Sequence, residues 1–207
     1  MSKELDILRT SVVVPVVVLE RVEDAKPLAE ALLQGGIGII EITLRTQVAL
    51  KAIELLARDL PEMKVGAGTV TSPELMQSVN DAGASFSLSP GISSDLLAIS
   101  QTLNMPFIPG VASASEVMLG LNHGKTCFKL FPAAPIGGVA LLKAFQGPFP
   151  AACFCPTGGI DSKNMKQFLA CDNVVSVGGS WVCPGELIKT GQWLQISDFA
   201  RSALATS

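Results

Sequence analysis

The feature that most constrains this chain is a repeat: a short, almost wholly apolar run followed by a segment with helical spacing, recurring along the sequence. The apolar runs stand at residues 12–19, 38–43, 64–67, 86–89, 107–109, 127–130, 152–155 and 174–177. Amphipathic stretches separate them at 24–34, 46–59, 73–82, 93–103, 113–122, 138–145 and 161–169. The runs do not alternate apolar with polar residues; consecutive positions are apolar, as in strands covered on both faces, and such strands are parallel. Eight strand-then-helix units of about 20–25 residues predict an α/β chain folded as a (β/α)8 TIM barrel. An open doubly wound sheet would read the same way locally, but eight similar units without an obvious edge strand favour closure. Residues 4–10 predict a short N-terminal helix capping the barrel floor, and 193–204 an outer helix. No linker divides the chain, so one domain over 1–207 is expected.

Local signals agree. Ser72-Pro73-Glu74 sets a capping hydroxyl before a proline at the first helical position, where the missing N–H costs nothing. Gly35, Gly83 and Gly124 fall where helices should stop, in the left-handed conformation. His123, the one histidine, precedes Gly124 and reads as a helix C-terminus.

Composition narrows the function. Charged residues make up 16% of the chain against about 25% in ordinary domains. The formal net charge of −3 supplies no basic footprint for nucleic acid. Apolar run 12–19 contains Pro15 and falls far short of the roughly 18–20 residues of a spanning helix, so no membrane partner is expected. The opening Met-Ser-Lys-Glu-Leu-Asp lacks the layout of a signal peptide, which gives a cytoplasmic expectation. Five cysteines without a C-x-x-C pair indicate neither a disulfide framework nor zinc, and a single histidine removes clustered-His sites; no metal and no cofactor are expected.

In a barrel, chemistry collects at the C-terminal strand ends. Lys129 stands within Phe128-Lys129-Leu130-Phe131, and alternation puts Cys127, Lys129 and Phe131 on one face. If that face looks inward, desolvation favours the neutral amine, which can attack a carbonyl; otherwise the lysine stem packs while its head reaches water. Glu41 lies in the apolar run Ile39-Ile40-Glu41-Ile42. It is either half of a structural ion pair with Lys129 or Arg45, or a proton shuttle for imine chemistry. Arg45 could start a helix or hold a substrate carboxylate, and the Thr69 hydroxyl could cap a helix or share that task. Thr157-Gly158-Gly159 and Gly178-Gly179-Ser180 fall where barrels build phosphate sites from backbone N–H groups. Pro90-Gly91 reads first as a turn.

Taken together, VVPVVV at 13–18, GGIGIIEITLRT at 35–46, VGAGTV at 65–70, SPG at 89–91, PFIPG at 106–110, FKLFPA at 128–133, FCPTGGI at 154–160 and GGSW at 178–181 resemble the class I 2-keto-3-deoxy-6-phosphogluconate (KDPG) aldolases, also described as 4-hydroxy-2-oxoglutarate (KHG) aldolases. The resemblance implies Lys129 as the Schiff-base lysine and Glu41 as the general acid/base. It implies Arg45 and Thr69 on the pyruvyl carboxylate, with Pro90 and Phe131 lining the pocket. Thr157, Gly158, Gly159, Gly179 and Ser180 would receive the distal hydroxyls and phosphate. It also implies a metal-free homotrimer acting on a small keto-acid phosphate. One departure is visible: after FPA, similar sequences often continue with Glu, whereas this chain has Ala134-Pro135-Ile136. A metal-free phosphosugar isomerase or epimerase would keep the glycines and Glu41 but need no covalent lysine. A silent sugar-phosphate binding barrel would need neither Glu41 nor Lys129.

Overall fold

The computed structural model describes residues 2–206. Helix α1 (Lys3–Leu8) precedes the first strand, its N-terminus closed by Ser2, whose hydroxyl accepts the Leu5 N–H at 3.3 Å. Strands and helices then alternate: β1 (Val13–Val17), α2 (Ala25–Gln34), β2 (Ile39–Thr43), α3 (Ala49–Asp59), β3 (Lys64–Gly68), α4 (Pro73–Asp81), β4 (Phe86–Leu88) and α5 (Ser94–Thr102). The fifth apolar run is two short strands, β5 (Phe107–Ile108) and β6 (Gly110–Val111), and α6 (Ala114–Asn122) follows. The remainder is β7 (Cys127–Leu130), α7 (Gly138–Gln146), β8 (Cys153–Pro156), α8 (Met165–Leu169), β9 (Val177–Gly179), α9 (Gly185–Lys189) and α10 (Trp193–Thr206).

Every strand pair is parallel. Six strands form one sheet in the order β5-β4-β3-β2-β1-β9, and three form another in the order β6-β7-β8. The chain passes from one sheet to the other at Pro109, which has no N–H to give a ladder but whose carbonyl accepts the Lys129 N–H at 2.9 Å. At the other side, single bridges join Phe154 to Val174 and Thr157 to Gly178. Burial is total along β2, and Leu28, Leu32, Ile53, Leu56 and Met76 bring the inner faces of α2, α3 and α4 onto the sheet. Each such fully buried side chain contributes about 1.5–3 kcal/mol.

Serines start three successive helices: Ser72, Ser93 and Ser113 accept the N–H three residues on, at 3.3, 3.2 and 3.4 Å. Glu116 reaches back to accept the Ala112 N–H at 2.7 Å, one residue before the Ser113 cap, and the Ser113 hydroxyl at 3.0 Å, which braces the start of α6. His123 ends α6 with Nδ1 2.9 Å from the Leu119 carbonyl, as its place before Gly124 predicts.

Several boundaries differ from the sequence reading. The left-handed residue after α2 is Gly36 at φ +91°, not Gly35; Gly83 and Gly124 are left-handed as expected. Helix α3 begins at Ala49, because Thr46 spends its hydroxyl on the Leu19 carbonyl at 2.6 Å. Helix α8 begins at Met165, because Asp161 accepts the Lys163 and Asn164 N–H groups in a side-chain turn. The last strand lies at Val177–Gly179 and not at 174–177: Val13, Val14 and Pro15 pair with Val177, Gly178 and Gly179. Two glycines read as loop are therefore strand. The short helix α9 has no counterpart in the sequence reading.

Candidate active site

Glu41 sits at the centre of β2, with Val16 and Gly66 as its register neighbours. Lys129 sits in β7 between Gly110 of β6 and Cys155 of β8. The two strands belong to different sheets, and their side chains meet across the interior: Lys129 Nζ donates to Glu41 Oε1 at 2.8 Å. Side-chain exposure is 6% for the lysine and 1% for the glutamate, so neither charge has water as an alternative partner. The inward orientation of Lys129 thus holds, and the ion pair anticipated as a structural alternative is present.

The pair is shaped by what surrounds it. Gly68 lies against the Glu41 carboxylate so closely that any Cβ there would overlap it. Glu41 Oε2 is buried and has no hydrogen-bond partner among the described residues. The Phe131 ring centroid stands 5.5 Å from Lys129 Nζ, within cation–π range. Burial pushes the neighbouring Cys155 thiol up to about 11, so it stays a neutral, compact wall residue beside the amine. Thr43, two residues beyond Glu41, donates to the Val17 carbonyl at 2.8 Å and ties β2 to β1 just below Arg45.

Above the pair, a cavity of about 400 Å³ is lined by Arg45, Phe131, Thr157, Gly158, Gly159, Gly179 and Ser180, seven of the residues singled out from sequence. Gly158 and Gly159 turn at φ +101° and +75°, a region closed to ordinary side chains. Their carbonyls are held by the Ala134 N–H at 2.9 Å and by Asn164 Nδ2 at 2.9 Å, which fixes both peptides. Val16, Val18 and Ile160 complete the lining and were missed. The signal for two of them existed: Val16 and Val18 alternate at the end of the first apolar run, and Val18 is partly exposed there.

Two expected residues stand apart from that cavity. Thr69 is half-buried directly after β3 with φ 62°. Pro90 lines a separate cavity of about 230 Å³ with Ser89, Gly91 and Ser93. Ser89 accepts the Gly110 N–H at 3.3 Å and donates to the Gly91 carbonyl, so this segment is a braced turn, as its sequence first suggested. Among the described residues no group of three or more His, Cys, Asp and Glu side chains could hold a metal ion, and no helix is long and apolar enough to cross a membrane.

An amine and a carboxylate in contact, enclosed at the mouth of parallel strands below a cavity with glycine-rich walls, define a site that can form and hydrolyse an imine: the amine attacks a carbonyl and the carboxylate moves protons. A model of the KDPG and KHG aldolase family matches residues 5–199. The chain is 46% identical over 199 residues to a 2-dehydro-3-deoxy-phosphogluconate aldolase of Dickeya dadantii, covering 96% of this chain and 93% of the relative. It is 44% identical over 198 residues to the KHG/KDPG aldolase of Escherichia coli, covering 96% and 93%. A crystal structure of KDPG aldolase from Legionella pneumophila, with pyruvate captured at low pH as a covalent carbinolamine intermediate, superposes with a TM-score of 0.96 at 48% identity, covering 98% of each chain. The protein is therefore a lyase of the aldolase class. Within that class it belongs to the KDPG and KHG aldolase family.

Proposed function

We propose that this chain cleaves 2-keto-3-deoxy-6-phosphogluconate to pyruvate and glyceraldehyde 3-phosphate, and 4-hydroxy-2-oxoglutarate to pyruvate and glyoxylate, through a Schiff base on Lys129. The observation that carries this reading is the buried contact of 2.8 Å between Lys129 and Glu41. Transfer of a proton along it frees the amine, which attacks the C2 ketone. Glu41 returns the proton as the carbinolamine loses water. The protonated imine is the electron sink: Glu41 takes the C4 hydroxyl proton, the C3–C4 bond breaks, and the aldehyde leaves. The enamine on Lys129 is then protonated at C3 and hydrolysed to pyruvate.

Arg45, in the cavity wall, offers a guanidinium suited to the pyruvyl carboxylate. Thr69 and Pro90, which lie outside that cavity's lining, are assigned to the pyruvyl half by family resemblance alone. Phe131 lines the reacting carbon. Thr157, Gly158, Gly159, Gly179 and Ser180, which share the cavity wall with Arg45, receive the distal hydroxyls and phosphate. The reading extends to the finer architecture. The continuity of β5 and β6 through Pro109 and the bridges from Phe154 and Thr157 to the β9 segment support a closed (β/α)8 barrel folded as one domain. Family kinship supports a homotrimer in the cytoplasm working in the Entner–Doudoroff route.

Incubation with pyruvate and borohydride, followed by peptide mass spectrometry, tests the reading. A reduced pyruvyl adduct on Lys129 is expected; an adduct on another lysine, or none, overturns it.

A further inference from the structure

At the opposite end of the strands from the mouth, Cys127 opens β7 and Cys153 opens β8, and the two are register partners. Neighbouring strands stand about 4.7–4.9 Å apart, inside the 4.4–6.8 Å separation of Cα atoms that a disulfide spans. Their Sγ atoms already converge to 2.9 Å. A cavity of about 420 Å³, lined by Gln146, Phe149, Ala152, Cys153, Asp172 and Asn173, reaches one member of the pair. Cys153 is half-buried at its edge while Cys127 is 1% exposed behind it.

We propose that Cys127 and Cys153 form an oxidisable dithiol, converted to a disulfide by a hydroperoxide that enters this cavity. The chemistry is separate from the imine site and does not depend on it. Hydrogen bonding between the sulfurs stabilises one thiolate, pulling the Cys127 ionisation below the ordinary thiol value and pushing Cys153, the second to ionise, far above it. The remaining proton moves along the contact, so the sulfur facing the cavity can carry the charge. That thiolate attacks the terminal peroxide oxygen. The O–O bond breaks, and the alcohol or water leaves with one proton. The Cys127 sulfur then attacks the Cys153 sulfenic acid, the S–O bond breaks, and hydroxide leaves as water with the Cys127 proton. Two thiols and one hydroperoxide thus yield a disulfide, an alcohol (or water) and water.

The other cysteines lack this arrangement. Burial pushes Cys155 up to about 11 and Cys183 up to about 12, and Cys171 has the Gln167 carbonyl as its partner at 3.7 Å. The test exposes the native full-length protein to hydrogen peroxide, with intact-mass and peptide-map readouts. The expected result is loss of two hydrogens, a crosslink between Cys127 and Cys153, a fall from five free thiols to three, and reversal by dithiothreitol. Cys127→Ser should abolish the crosslink and Cys171→Ser should leave it intact. An unchanged mass, oxygen addition without a crosslink, or a bond between other cysteines overturns the proposal. Mapping of the unmutated protein decides the matter even if a serine variant fails to fold.

Discussion

Lys129 and Glu41 are each expensive alone in the interior, and each makes the other tolerable. Removing one partner of a buried pair costs about 3–5 kcal/mol, because the charge left behind has no water to replace it. Lys129→Met should therefore lose both cleavage activity and stability of that order. Adding Glu41→Gln to it should restore much of the stability but none of the activity, as measured by urea unfolding beside a pyruvate-release assay. Glu41→Gln alone should slow turnover by about 10²–10⁴-fold, the usual worth of a positioned general acid/base. A Glu41→Gln enzyme with full turnover would remove the carboxylate from the mechanism. Both residues were legible as charges stranded in apolar strands; alternation put Lys129 on one face with Cys127 and Phe131 but left open whether that face looks inward, which the fold decides. Their contact across 88 positions of sequence was one of two alternatives, since Arg45 offered Glu41 a nearer partner. Gly68 was quoted only as part of a motif; nothing local says that a glutamate from the next strand needs its space.

At the scale of elements, helix α1 is held on the strand floor by an ion pair between Glu4 and Lys125, 2.9 Å long, with side chains only 14% and 12% exposed. Burial by itself would raise the Glu4 carboxyl; the Lys125 hydrogen bond and charge, with backbone N–H groups of Glu4 and Phe107, outweigh it and hold the group below its ordinary 4.5. A carboxyl lowered by folding stabilises above its unfolded value, and that contribution fades as pH falls through the folded value. Lys125→Met should cost about 1–3 kcal/mol at neutral pH. The difference from wild type should shrink steadily below pH 4.5, read by denaturant unfolding across an acid series. A difference that stayed constant into acid would exclude the pair as its source. Helix starts marked by serine were legible because the cap is a local bond. The starts at Thr46 and Asp161 were misread because those side chains had other uses, one on the distant Leu19 carbonyl and one on its own turn.

For the whole molecule, the scarcity of charge has a structural cause: strands buried on both faces and helices that each give up one face leave few positions for ionised groups. Assembly as a homotrimer would cover more surface, and sedimentation equilibrium should return three chain masses; a monomer at micromolar concentration would contradict it. By itself the sequence determined the parallel α/β class and the order and approximate extent of most elements, because hydrophobic period, capping and alternation are properties of neighbouring residues. Its motifs carried the family resemblance, and it marked Lys129 and Glu41 as charges within apolar runs. Tertiary structure alone decided that Lys129 reaches Glu41 and that Val16 and Val18 join the glycine walls. It alone decided that Thr69 and Pro90 stand outside that cavity, that Gly178 and Gly179 are strand, and that Cys127 meets Cys153. Each of these depends on how the strands are staggered and curved against one another, and that register is fixed by the packing of the whole sheet.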